Sequence, residues 1–510
     1  MARQILALLC VSFLCATIFP AAAQQGAGQY LTVDWTKTLR VSVTTPTLQV
    51  VVNPKLQPGD VVRENAYSAL RDLRPQYARY VPWYPYPRMS VAELFPPSGP
   101  KTFWDFRLID PPAVDFLKAT AGRAGYINFS TIPAWMFKTR AAVPVPIDPN
   151  KPDFDYNQGT ELADPTGRQL SDYYGRIVSW YVNGGFTDER GTFHKSGHHF
   201  TLPLYEVLNE VDAEHSTTPE QYVRRYDAIV SGIRSVSPKT QFIGLALADP
   251  RNHPEFFEHF LNRANHQPGI PLDWISYHFY AVPAGGETLD ASQYTFFAQA
   301  ADFVSSVRYI EAIKKRLSPG TRTMINETGA ILRNDLDPAT SAVTTDSSIP
   351  KSFWNLSGAV YAYVYEELAK LGIDVVGESQ LVGYPSQFPS VTMVDWHTGR
   401  PNARFQILKL IRDNMGPGDR LIDVSGGPGI FDAQAIVCSA YIRQGVKKAL
   451  LINRRAATAR IDIQGAAGGR LQLVDQSSAG GPIRQEKLSS STVMLGGFAV
   501  AIVDFPGKIP

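Results

Sequence analysis

The sequence predicts an α/β chain, a (β/α)8 TIM barrel followed by a C-terminal β-sandwich domain. Three observations carry that prediction. Between Leu48 and Gly377, eight short apolar or β-branched runs recur, most of them separated by segments with one apolar helical face. No Gly-rich strand-to-helix turn of the dinucleotide or phosphate-loop type occurs among them, which argues against an open doubly wound sheet. Beyond about Gly418 the helical period disappears, and short β-type runs alternate with Gly-Gly and Ser-rich turns.

At 510 residues, 44% of them hydrophobic, the chain has room for more than one domain and for a sizeable core. Lys+Arg 49 against Asp+Glu 47 gives a formal net charge of +2, without a long run of either sign. Neither nucleic acid nor a membrane surface is expected as a partner. Arg3, the apolar run Ile5 to Phe19 and Ala21-Ala22-Ala23 read as a signal peptide over residues 1–23, cleaved after Ala23. The expectation is therefore a secreted or periplasmic protein. Cys10 and Cys15 would leave with the leader, so Cys438 remains alone and no internal disulfide is expected.

Residues 24–47 read as N-terminal strands that are candidates to join the sandwich, and residues 48–417 as the barrel. Its strands are placed at Leu48, Tyr77, Tyr126, Leu204, Gln241, Trp274, Thr323 and Ile373. Helical patterns cover Ala66 to Leu73, Ser171 to Val182, the segment after Thr218, Pro254 to Ala264, Asp302 to Leu317, Phe353 to Leu371 and Asn402 to Arg412. Thr218-Pro219-Glu220-Gln221 is a capping box with Pro at the first helical position. A Pro-, Asp- and Gly-rich loop from Phe137 to Gln169 follows the third strand, where it would form a wall of a binding cleft. Residues 418–510 form the β-sandwich, with runs at Val437 to Ile442, Ala449 to Asn453, Ala459 to Ile463, Leu471 to Val474 and Phe498 to Phe505.

Two apolar runs lead into an adjacent amide and acid: Leu204-Tyr205-Glu206-Val207-Leu208-Asn209-Glu210 and Thr323-Met324-Ile325-Asn326-Glu327-Thr328-Gly329. By the strand count, Glu210 ends strand four and Glu327 ends strand seven, at the rim where such barrels place their chemistry. Two carboxylates at one rim, with neither a metal-ligand cluster nor a Ser-His-Asp spacing, point to cleavage of a glycosidic bond. That reaction needs an acid for the departing oxygen and a carboxylate for the oxocarbenium-like carbon. Carboxyl groups ~5 to 5.5 Å apart imply retention of configuration, and a gap of ~6.5 Å or more implies inversion. Glu206 would be a buried barrel-interior carboxylate paired with an Arg.

Glu206-Val207-Leu208-Asn209-Glu210 resembles the strand-four signature of clan A glycoside hydrolases, and Ile325-Asn326-Glu327-Thr328-Gly329 is similar to their nucleophile segment. The run Trp274 to Tyr280, ending His278-Phe279-Tyr280, looks like their sixth strand, and glycoside hydrolase family 39 is the most similar family. Val211, where many members have Pro, and Asn326 depart from the commoner pattern. The resemblance implies Glu210 as acid/base, Glu327 as nucleophile, Asn209 as the amide on the sugar 2-hydroxyl and Tyr280 as the phenol touching the nucleophile. His278 fits a second polar contact, and Arg79 is the candidate cation that keeps Glu327 ionised.

Trp83, Trp135 and Trp396 are candidates to stack on sugar rings, and Glu378 is a candidate sugar contact or a rival to Glu327. The expectation is a retaining glycoside hydrolase acting on oligo- or polysaccharide by double displacement, exo-acting, with no cofactor and no metal. A transglycosidase at the same site and a non-catalytic carbohydrate-binding barrel are the alternatives.

Overall fold

The computed structural model describes residues 29–336, 349–424, 435–478 and 480–508. The leader expected at residues 1–23 lies outside them. Eight parallel strands close into a barrel: β1 (Thr45–Val51), β2 (Arg79–Val81), β3 (Tyr126–Ile127), β4 (Leu204–Glu206), β5 (Gln241–Leu247), β6 (Trp274–Ala281), β7 (Arg322–Ala330) and β8 (Val375–Glu378). The ring shuts where β8 pairs with β1, with Glu378 opposite Leu48. Among the described residues, a helix of seven residues or more follows each strand: α1 (Val61–Leu73), α2 (Asp110–Ala119), α3 (Arg168–Val182), α4 (Pro219–Val236), α5 (Pro254–Phe260), α6 (Leu289–Leu317), α7 (Lys351–Leu371) and α8 (Ala403–Asn414).

Local chemistry explains several helix ends. Thr218 caps α4 through a complete capping box with Gln221. Gly372 ends α7 in the left-handed region at φ 84°, which a residue with a Cβ rarely adopts. Three helices depart from expectation, among them α5, which ends at Phe260 rather than Ala264. The segment 110–119 opens on Asp110-Pro111-Pro112, a loop signal by composition, yet Pro is harmless in a first turn whose N–H groups have no intrahelical partner. Helix α6 begins at Leu289 rather than Asp302, because the Thr288 side chain accepts the Ala291 N–H and adds more than three turns.

Two sheets form the β-sandwich, the larger antiparallel and the smaller mixed. One has seven strands in the order Arg484–Lys487, Arg470–Val474, Val500–Lys508, Val446–Asn453, Ile436–Arg443, Arg420–Ile422 and Thr38–Val41. The other contains Gln29–Leu31, Ala459–Ile463 and Thr492–Leu495. The chain preceding the barrel thus contributes a strand to each sheet.

The two-residue period of the larger sheet sorts its side chains between two cores. Ala449, Leu451, Ala501 and Val503 pack between the sheets, beside Cys438. Leu450, Ile452, Val500 and Ile502 join the core that continues into the barrel helices. Lys448 Nζ donates to Asn414 Oδ1 at 3.0 Å, which ties this sheet to the end of α8. Among the described residues, no helix is long and apolar enough to cross a membrane.

Candidate active site

Strand β4 stops at Glu206, four residues short of Glu210, where the sequence pattern continued it. The chain leaves the ladder through two left-handed residues, Leu208 at φ 65° and Glu210 at φ 43°. Beside them, Leu245 and Ala246 at the end of β5 have φ 80° and 50°. Each such residue costs roughly 1–3 kcal/mol and persists only when its surroundings dictate it. Here they do: Asn128 Nδ2 donates to Leu208 O at 2.8 Å, and the Glu210 N–H donates to Ala246 O at 2.8 Å. Glu327 sits inside β7 rather than at its end. A register shift after Tyr277 brings His278 opposite Glu327.

Arg79, wholly buried at the start of β2, organises the floor of the site. Its Nε donates to Glu206 Oε2 at 2.5 Å, Nη1 to Gln49 Oε1 at 2.6 Å and also to Glu327 Oε1, and Nη2 to Asn209 Oδ1 at 2.7 Å. Glu206 in turn accepts from Asn128, Ser276 and Asn326, so its buried charge is satisfied on both oxygens.

Above that floor the two sequence-predicted acids converge. His278 Nδ1 lies 3.0 Å from Glu210 Oε1, and its Nε2 lies 3.5 Å from Glu327 Oε1. Tyr280 donates its hydroxyl to Glu327 Oε2 at 2.6 Å. One oxygen of each glutamate and one nitrogen of His278 all fall within 4.8 Å of one another. These three could in principle face a cation. However, Arg79 and Tyr280 already donate to the two oxygens of Glu327, leaving it poorly placed as a ligand.

The two carboxyls have opposite electrostatics. Burial raises Glu210 above the ordinary carboxylate value, and the hydrogen bond from His278 offsets only part of that. Burial acts the same way on Glu327, but the charges of His278 and Arg79 and the Tyr280 hydroxyl outweigh it, leaving Glu327 below the ordinary value. Burial disfavours the His278 imidazolium, yet Glu327 and Glu210 reverse the balance and raise it. Glu210 is also the more open of the pair, its side chain 22% exposed against 9% for Glu327.

A cavity of about 170 Å³ opens over these groups, lined by Glu210, Glu327, Asn209, Tyr280, Gln49 and Trp83 together with apolar neighbours that include Phe388 and Val391. Of the candidate tryptophans, only Trp83 lines it. Trp135 is a correction: its Nε1 donates to Glu93 O at 2.8 Å, and the residue lines a separate groove with Trp104 and Tyr173. Trp396 is another, being 2% exposed within the main core, where no sugar could reach its face.

Glu378 does not reach the cavity either. It is fully buried with Arg404 Nε 3.0 Å from its carboxylate, and burial, partly offset by that charge, pushes it up to about 8. Two residues escaped the sequence reading. Gln49 interrupts the apolar run of β1 and faces Arg79, a break of pattern that could have marked it. Glu214, four residues past Glu210, accepts from both Asn209 Nδ2 (3.1 Å) and Trp83 Nε1 (3.0 Å).

No protein-family model matches the chain, and no curated protein does. Solved structures do match, at low identity. An arabinofuranosidase of glycoside hydrolase family 51 from Xanthomonas axonopodis pv. citri aligns with a TM-score of 0.60 at 12% identity, covering 94% of this chain and 99% of that one. A glucosidase from Croceicoccus marinus gives 0.57 at 14% identity over 94% and 99%. A family 30 endoxylanase from Clostridium papyrosolvens gives 0.53 at 13% over 94% and 100%. The chain is thus similar over nearly its whole length to solved glycoside hydrolases, and what it shares with them is the fold, a (β/α)8 barrel carrying a β-sandwich.

Proposed function

We propose that the chain is a retaining glycoside hydrolase. The observation that carries this reading is the pair Glu210 and Glu327, delivered from β4 and β7, with oxygens within 4.8 Å and protonation equilibria pushed in opposite directions. One oxygen of each carboxyl within 4.8 Å of the other is compatible with the ~5–5.5 Å between carboxyl groups in double displacement. Glycosidase folds among the similar solved structures support the same reading, as do the clan A motifs around both acids. The likeness to family 39 rests on those motifs, whereas the similar structures named above include members of families 30 and 51.

In the first step, an ionised Glu327 oxygen attacks the anomeric carbon as its bond to the leaving oxygen breaks, and Glu210 gives that oxygen its proton. Arg79 and Tyr280 hold Glu327 ionised and aimed. In the second step, Glu210 takes a proton from water as water displaces Glu327 from the sugar. Asn209 and Trp83 line the cavity, and in this reading Asn209 meets the sugar 2-hydroxyl while Trp83 packs against the ring. The small cavity suits one terminal sugar and favours exo action. The basic, apolar and small-residue succession of residues 1–23 supports export.

The test is a panel of 4-nitrophenyl α-L-arabinofuranoside, β-D-xyloside and β-D-glucoside, followed by Glu327→Ala on whichever is cleaved. Turnover should vanish, and added azide should restore release of nitrophenol with a glycosyl azide of inverted configuration as product. Full activity in Glu327→Ala would overturn the assignment.

A further inference from the structure

We infer that Glu214 is a positioning residue that locks the side-chain amide of Asn209 in the one orientation that offers an N–H to the sugar in the cavity. The inference rests on the glycosidase reading and adds to it a residue outside the cavity lining. An asparagine amide can sit in either of two flips, which exchange an acceptor for a pair of donors at nearly the same position. At Asn209 both ends are tied. Oδ1 accepts from Arg79 Nη2 at 2.7 Å, a donor that cannot become an acceptor. Nδ2 donates to Glu214 Oε1 at 3.1 Å. A flip would set an N–H against the guanidinium, and an oxygen against Glu214 Oε1, which Trp83 Nε1 already holds as an acceptor, losing both bonds at once. Among the described residues, no protein acceptor takes the second N–H of Nδ2, and Asn209 lines the cavity. That N–H is the group left for a sugar oxygen.

Glu214 is itself held at two places. Its Oε1 also accepts from Trp83 Nε1 at 3.0 Å, so one oxygen joins two cavity walls that arrive from the ends of β2 and β4. Its backbone N–H donates to Glu210 O at 2.7 Å, closing a turn between the proposed acid and this acceptor. The turn continues through His215 and Ser216, at φ 59° and 45°, two further left-handed residues after Leu208 and Glu210. Burial and the nearby Glu210 charge keep the Glu214 carboxyl protonated well above the ordinary carboxylate range. A neutral acid still accepts through its carbonyl oxygen and adds no second negative charge beside Glu210. An amide does the same, so glutamine should replace it.

The experiment compares Glu214→Gln with Glu214→Met on the aryl glycoside that the wild type cleaves, each alone and combined with Asn209→Ala. Methionine keeps the length of the side chain and loses the acceptor. Glu214→Met should lower kcat/KM about ten- to hundredfold, mostly in kcat because the 2-hydroxyl contact strengthens in the transition state. Glu214→Gln should recover most of that loss. In the Asn209→Ala background, Glu214→Met should cost little more, because the amide it positions is gone.

Equal losses in both backgrounds, or a Gln variant as impaired as Met, would overturn the inference while leaving the glycosidase reading intact. Should the Met variant not fold, Glu214→Leu, which also lacks the acceptor, takes its place in the same cycle with Asn209→Ala. A wild-type protein that cleaves none of the panel would overturn both.

Discussion

His278 stands between the two acids, with Nδ1 3.0 Å from Glu210 Oε1, so one imidazole couples the protonation of both carboxyls. It lowers each of them. The pH profile of kcat/KM should be a bell whose acid limb, set by Glu327, lies below the ordinary carboxylate range. Its alkaline limb, set by Glu210 coupled to His278, should lie above that range. His278→Ala removes a lowering influence from both acids, so both limbs should move to higher pH. A profile whose limbs stay in place would show that the imidazole exerts no such control.

Arg79→Met should cost stability and shift the acid limb together. Removing one partner of a buried ion pair typically costs about 3–5 kcal/mol, and here two carboxylates, Glu206 and Glu327, lose the same cation. Glu327 lies below its ordinary 4.5, so its contribution to stability is present above that pH and is lost as pH falls through the folded value. The variant should lack this part of the acid-side loss in denaturant titrations, and the acid limb of its residual activity should rise.

Glu378→Gln separates the buried acid from the proposed nucleophile. It should leave kcat/KM unchanged, in contrast with Glu327→Ala. Because the folded Glu378 is raised from 4.5 to about 8, the wild type loses stability from this group as pH climbs through that interval. Relative to wild type, the glutamine variant should therefore gain melting temperature between pH 5 and 8. A flat difference across that range would be inconsistent with a buried protonated acid.

Helices α3 and α4 meet at Gly175 and Gly232, where a Cβ on Gly232 would sit 2.0 Å from the backbone oxygen of Ser171. Backbone cannot rotate away as a side chain can. Gly232→Ala should destabilise by roughly 1–3 kcal/mol with the m-value unchanged, read by urea unfolding.

Much of this architecture could be read along the chain, because strand and helix periods are local properties. Val50, Ile275 and Ile325 announce their strands through their immediate neighbours, and Thr218 announces α4 by the residue three positions on. The departures have different origins. At Leu208 and Glu210 an apolar pattern continued while the backbone turned left-handed, because hydrogen bonds from Asn128 and to Ala246 hold it there. At Pro111-Pro112 a composition typical of loops was absorbed into a first helical turn.

By itself, the order of residues determined the eight strands, their sequence round the ring, the β-rich segment after them, and two acids that each follow an asparagine. Only the tertiary structure decided that Trp83 faces the cavity while Trp135 and Trp396 do not, that Arg79 serves Glu206, Asn209 and Glu327 at once, and that Glu214 stands behind Asn209. The reason is distance along the chain. Periodicity and capping act over a few residues, whereas the hydrogen bond from Arg79 to Glu327 joins groups 248 positions apart and exists only once the barrel has closed.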